Sequence, residues 1–167
     1  MRFLKLALIS VVVFALILTA FSLLLPSTIN ISKAIDINAP LDKVYPNISD
    51  LSNWRNWYAD SASAVVSSPS SGKGASVKIS KTSIRINEAD SALIRATWQS
   101  GNNEPLNGSF NFFKDTLSGF TTVQWHFVQH TQWYPWEKLA SIVSNKSIAP
   151  FMEKSLDNLK ATVERKK

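Results

Sequence analysis

From Leu6 to Leu25 the chain runs for twenty residues without a charge, interrupted only by Ser10, Thr19 and Ser22. That is the length of a helix crossing a bilayer, and the segment is apolar on every face, unlike the one-sided helix of a soluble fold. Arg2 and Lys5 precede it, whereas Lys33, the first basic residue after it, is soon followed by Asp36. The positive-inside rule therefore places the N-terminus in the cytoplasm and the remainder on the extracytoplasmic side, periplasmic in a Gram-negative cell. A cleaved signal peptide is the competing reading, because Ala20-Phe21-Ser22 has small residues at a signal-peptidase spacing. The apolar run exceeds the usual core of about 7 to 15 residues and continues through Leu23, Leu24 and Leu25, which favours an anchor. The expected organisation is a transmembrane anchor with a short cytoplasmic tail over residues 1–27 and one folded domain over 28–167.

Pro26 ends that helix, and Ile29, Ile31, Ile35 and Ile37 begin a β-branched stretch that predicts a first strand. Leu41, Val44, Tyr45 and Ile48 then follow at helical spacing, with Pro46 expected to bend or divide the helix. Asp50 to Trp57 reads as a second short helix or turn, capped by Asp50 or Ser52, with Trp54 and Trp57 on one face. Beyond a Ser/Pro/Gly loop at Ser67 to Gly74 the period falls to two. Val77 and Ile79 point inward, Ile84 and Ile86 alternate with Arg85 and Asn87, and Leu93 to Trp98 forms another strand. Leu106, Gly108, Phe110 and Phe112 share one strand face, as do Val123, Trp125 and Phe127. From Pro135 the helical period returns, with Met152, Leu156, Leu159 and Val163 as an apolar stripe and a kink or break expected at Pro150. Strand, two short helices, a run of antiparallel strands and a long C-terminal helix imply an α+β fold in which the helix covers one sheet face.

Composition narrows the functions. The chain has no Cys, which excludes disulfides, thiolate metal sites and a Cys nucleophile. The net charge of +6 invites nucleic-acid binding, but the longest basic run is Arg165-Lys166-Lys167, and the aromatics alternate mainly with Thr, Asn and Gln. No nucleic acid is therefore expected as a partner. His126 and His130 are four apart on a strand, on the face opposite the aromatic row, so they do not form a helical metal pair. No two carboxylates show the spacing of an acid–base site, and neither a metal nor a cofactor is expected.

Three segments near the start, Ile35-Asp36-Ile37-Asn38-Ala39-Pro40, Lys43-Val44-Tyr45 and Asp50-Leu51 with Asn53-Trp54-x-x-Trp57, resemble the opening of START-like domains. Gly72 to Ser76 resembles their glycine loop, Thr122 to Trp125 their last strand, and Phe151 to Lys160 their final helix. The resemblance is to the polyketide cyclase/dehydrase and lipid-transport type, over residues 29 to 165, and a subset of such proteins carries one N-terminal membrane helix. Where a Pro-Trp pair is frequent in that family, this chain has Tyr58-Ala59. The resemblance implies a helix-grip fold: a curved seven-stranded antiparallel sheet around the long C-terminal helix, with a cavity for an apolar or amphipathic small molecule between them.

Candidate cavity-lining residues are Trp98, Phe110, Phe112, Trp125 and Phe127 from the strands, together with Trp136, Met152 and Leu156 from the C-terminal helical segment. For any one of the aromatics, packed core is the safer reading. Arg85 and Arg95, on neighbouring strands, are candidates for holding an acidic head group if they point inward, and solubilise the outer face if they do not. Trp133-Tyr134-Pro135-Trp136 has the composition of a cavity cap, a bilayer-interface contact or ordinary helix-start packing. The expected function is a membrane-tethered binding domain for a hydrophobic, lipid-like molecule. A cyclase/dehydratase-type enzyme and a ligand-free interaction module of the cell envelope are the alternatives.

Overall fold

A computed structural model describes residues 2–24, 27–101, 103–115, 119–130 and 134–165, without the side chains of Arg2, His130 and residues 135–145. Helix α1 spans Arg2–Leu24. Its stretch Phe3–Leu24, with mean hydropathy 2.7, is long and apolar enough to cross a membrane, a criterion that a signal sequence also meets. Packing groups residues 1–29 with 129–147, and residues 30–128 with 148–167, as two compact units.

Seven strands form one sheet in the order β1-β7-β6-β5-β4-β3-β2. They are β1 (Thr28–Ile37), β2 (Val65–Val66), β3 (Ser76–Ile79), β4 (Thr82–Ala89), β5 (Leu93–Ser100), β6 (Leu106–Lys114) and β7 (Thr121–His130). Pairing from β2 through β7 is antiparallel throughout. Thr122 donates to Asp36 at 2.6 Å and Gln124 to Ser32 at 3.0 Å, the descending register of an antiparallel β1–β7 pair. The alternation read from sequence is the alternation of burial: Ile84, Ile86, Ile94, Ala96, Trp98, Phe110, Phe112, Val123, Trp125 and Phe127 all face inward.

Helix α2 (Leu41–Ser49) buries Val44 and Ile48 and contains Pro46 without dividing. A 3-10 helix, Leu51–Asn56, follows, and the Asp50 side chain caps it by accepting the Ser52 N–H at 2.9 Å. Trp54 within it and Trp57 at its C-terminal cap are both buried. Helix α3 runs unbroken over Pro135–Arg165 with Pro150 inside it, so the expected break is absent. Proline's fixed φ is compatible with a helix, and its missing N–H removes one donor, which the flanking turns tolerate. Met152, Leu156, Leu159 and Val163 are buried as the stripe requires. The C-terminal half of α3 is tied to the segment after the 3-10 helix: Ala59 N–H donates to Ser155 Oγ at 3.1 Å and Asn158 Nδ2 donates to the Trp57 carbonyl at 3.2 Å. That seam holds the residues after Trp57 against the inner face of the sheet.

Candidate functional site

The inner sheet face and the 3-10 segment meet in a cluster of aromatic rings. Phe110 and Trp125, direct cross-strand partners on β6 and β7, stack at 4.9 Å between ring centres. Trp98 meets Phe127 edge-on at 4.7 Å. From the other side Trp54 stacks on Tyr58 at 4.9 Å, and Tyr58 reaches Trp125 at 6.0 Å and Phe151 of α3 at 5.2 Å. Four of the sequence candidates, Trp98, Phe110, Trp125 and Phe127, are thus one contiguous layer, which Trp54 and Trp57 extend. Phe112 lies at its margin against Tyr45, 5.5 Å away, and Met152 and Leu156 are buried on α3. The Trp136 side chain and Trp133 lie outside the described residues.

Hydrogen bonding separates rings that packing makes alike. Among the four tryptophans whose side chains are described, Trp54 donates its indole N–H to the Ile48 carbonyl at 2.9 Å and Trp57 to the Asn47 carbonyl at 2.8 Å. Trp98 donates to the Tyr58 hydroxyl at 3.0 Å. The fourth, Trp125, is fully buried, and its Nε1 has no acceptor. Burial pushes the Tyr58 hydroxyl well above the ordinary tyrosine range, more than the bond from Trp98 lowers it, so it stays a neutral donor. Among the described residues no Asp, Glu, His, Lys or Arg is buried. Among the described residues the interior therefore offers apolar surface and neutral polar groups, without a fixed charge.

The two arginines face outward. Arg85 and Arg95 are exposed on the side of β4 and β5 opposite Ile84, Ile86 and Ile94, and Arg95 pairs with Glu88 across the strands. Strand alternation fixes that direction, so neither reaches an interior head group. His126 sits on the same outer face, where it lines a 380 Å³ groove with Arg95, Asn107, Ser109 and Asn111. A 520 Å³ depression beside α2 is lined by Pro40, Leu41, Tyr45, Ser91 and Lys114 among others. Among the described residues no group of three or more His, Asp or Glu could hold a metal ion.

The sequence over residues 28–164 matches the family model described as polyketide cyclase/dehydrase and lipid transport. The chain belongs to that family. It is a START-like domain of the ligand-binding type, and no curated protein matches its sequence. Solved structures share the fold at low identity. A protein of Nitrosospira multiformis is 12% identical with a TM-score of 0.66, over 83% of this chain and 100% of that one. A START superfamily protein from Mycobacterium smegmatis is 13% identical at 0.62, over 83% and 99%. CalU16 from Micromonospora echinospora is 12% identical at 0.61, over 80% and 75%.

Tyr58 and Phe151 were not among the sequence candidates. Tyr58 directly follows the Trp54-x-x-Trp57 pair at the place where this chain departs from the family, and that departure was the available signal. Phe151 precedes Met152 outside the a/d stripe, and only its approach to Tyr58 and Trp125 shows its position in the cluster.

Proposed function

We propose that this START-like domain is membrane-tethered and binds a hydrophobic or amphipathic, lipid-like small molecule between the sheet and the C-terminal helix. Residues 1–27 are the anchor, with the N-terminus cytoplasmic, and 28–167 the extracytoplasmic domain. The observation that carries the binding reading is the Trp125 indole N–H, fully buried in the middle of an aromatic wall and without an acceptor among the described residues. Leaving such a donor unpaired costs about 1 to 3 kcal/mol, which a bound molecule with an acceptor oxygen removes. Trp98, Phe110, Trp125 and Phe127 supply the apolar lining that desolvates the rest of it. A second reading, a filled grip that acts through its surface, is favoured by the ring-to-ring packing itself, at 4.7 to 6.3 Å throughout the cluster. An enzyme would need an acid–base pair in the grip, and the interior chemistry of neutral donors does not favour one.

Native mass spectrometry of the full chain extracted gently from membranes tests both parts. An intact mass that includes residues 1–27, with a co-purifying small molecule identified after extraction, is the expected result. A chain lacking its first residues would refute the anchor. An apo mass with no thermal shift across fatty acids and phospholipids would refute the binding reading in favour of the filled grip.

A further inference from the structure

On the outer face of the sheet, the polar side chains of β5, β6 and β7 satisfy one another almost throughout. Asn87 Nδ2 donates to Thr97 Oγ1 at 2.6 Å, and Thr97 Oγ1 donates to Asn107 Oδ1 at 3.0 Å. Gln124 donates to Ser32, Thr122 to Asp36, Gln99 to the carbonyls of Gly101 and Asn103, and Arg95 pairs with Glu88. Ser109, Asn111 and His126 are the exceptions. Among the described residues none of these three side chains has a hydrogen-bond partner, although all three are half-buried. They are also neighbours. Ser109 lies directly across from His126 on β7 and from Arg95 on β5, and Asn111 is the next outward position on β6, about 7 Å along the strand. All three line the 380 Å³ groove on the outer face, with Leu93 and Val128 at its margins.

We propose that this groove is a binding site, separate from the grip, for a neutral polyhydroxylated ligand, a saccharide. It does not rest on a molecule in the grip. The lining chemistry selects the class. Asn111 carries an amide that donates and accepts, Ser109 a hydroxyl that does both, and the imidazole of His126 a donor nitrogen and, when neutral, an acceptor. Because Thr97 occupies Asn107 Oδ1, the Asn107 Nδ2 is left as a further donor. Each hydroxyl of a sugar ring is both donor and acceptor, so neighbouring hydroxyls match such a mixed set. A phosphate or carboxylate offers acceptors alone and would leave Asn111 Oδ1 unmatched. It would also have to draw Arg95, the one fixed charge among the described residues lining the groove, away from Glu88. The chain of bonds from Asn87 through Thr97 holds the Asn107 amide in place before a ligand arrives, which lowers the ordering cost of binding.

Saturation-transfer NMR and isothermal titration of the full chain in nanodiscs, with empty nanodiscs as the blank, test the assignment with maltotriose, cellotriose, chitotriose and inorganic phosphate. At least one trisaccharide is expected to bind with a Kd of about 1 mM or tighter, and phosphate is expected to bind more weakly than that trisaccharide. Asn111→Ala removes an amide that both donates and accepts, and Ser109→Leu fills the floor of the groove. Each should weaken the trisaccharide about tenfold. Ser83→Ala, outward on β4 and outside the groove, should leave the affinity unchanged. Near-ultraviolet circular dichroism should be the same for the wild type and all three variants, because the substituted positions lie on the outer face, away from the aromatic cluster. Trisaccharide binding that survives both groove variants, tightest binding of phosphate, or no binding of any trisaccharide at about 10 mM would overturn the assignment.

Discussion

Gly108 is the most constrained position on the inner sheet face. It lies mid-strand in β6, directly across from Phe127 on β7 and Ala96 on β5. A Cβ there would sit 2.7 Å from Cδ1 and Cε1 of Phe127 and from Cζ3 of Trp98. Carbon atoms prefer about 3.5 to 4.0 Å, so both rings would have to retreat by roughly 1 Å. Neither is free to do so. Trp98 is held by its bond to Tyr58 at 3.0 Å, and Phe127 is wedged between Trp98 at 4.7 Å and Trp125 at 5.2 Å. Overpacking of this kind costs about 1 to 3 kcal/mol, and removing a flexible glycine from a strand returns about 0.5 to 1. Gly108→Ala should therefore destabilise the domain by about 1 to 2 kcal/mol and lower its Tm by roughly 3 to 10 °C. Urea unfolding of the full chain in detergent, followed by near-ultraviolet circular dichroism, measures the first, and a thermal scan the second. Adding Phe127→Leu should recover part of the loss, because the two sites share the clash. An unchanged Tm in Gly108→Ala would refute the close packing of Trp98 and Phe127 over Gly108.

Trp125→Ala removes a fully buried ring from the centre of the cluster and should cost about 3 to 5 kcal/mol in equilibrium unfolding. Thr121→Val, which leaves the Ala39 carbonyl without the hydroxyl that donates to it at 2.8 Å, should cost about 1 to 2 kcal/mol in the same assay. The buried Tyr58 holds its proton in the folded state above the pH at which the unfolded chain loses it. Stability should thus be insensitive to this group below the ordinary tyrosine pKa of about 10 and fall above it, by up to about 1.4 kcal/mol per pH unit. Unfolding measured from pH 8 to 12 should show a shallower alkaline decline in Tyr58→Phe.

The sheet was legible wherever period two persisted over several residues. In β7, Thr121, Val123, Trp125 and Phe127 are buried alternately with exposed or half-buried neighbours, and the same holds for β4 and β6. The edge strand Val65–Val66 gave no such signal, because two residues cannot display a period. Pro150 pointed to a kink or a break, and α3 is not broken there, since a single missing donor is weaker than the packing of the stripe from Met152 to Val163. The site was legible as a set of rings and illegible as chemistry. Trp98 and Trp125 carry the same indole on neighbouring inward faces, and only the placement of Tyr58, forty residues from Trp98, gives one of them a partner. The direction of Arg85 and Arg95 followed from their alternation with buried neighbours, which sequence alone left conditional on strand boundaries.

That difference between two chemically identical residues yields a direct comparison. Trp→Phe at either position removes the indole N–H and a similar volume from a buried site, so the cavity contribution, about 1 to 2 kcal/mol, is nearly common to both. At Trp98 the change also removes the bond to Tyr58, a further loss of about 0.5 to 1.5 kcal/mol. At Trp125 it removes a donor that has no partner among the described residues, which relieves about 1 to 3 kcal/mol of desolvation. In delipidated protein Trp125→Phe should therefore be near neutral and Trp98→Phe clearly destabilising, with the two about 2 kcal/mol apart in urea unfolding at constant m-value. Equal destabilisation by the two substitutions would mean that Trp125 has an acceptor within the fold.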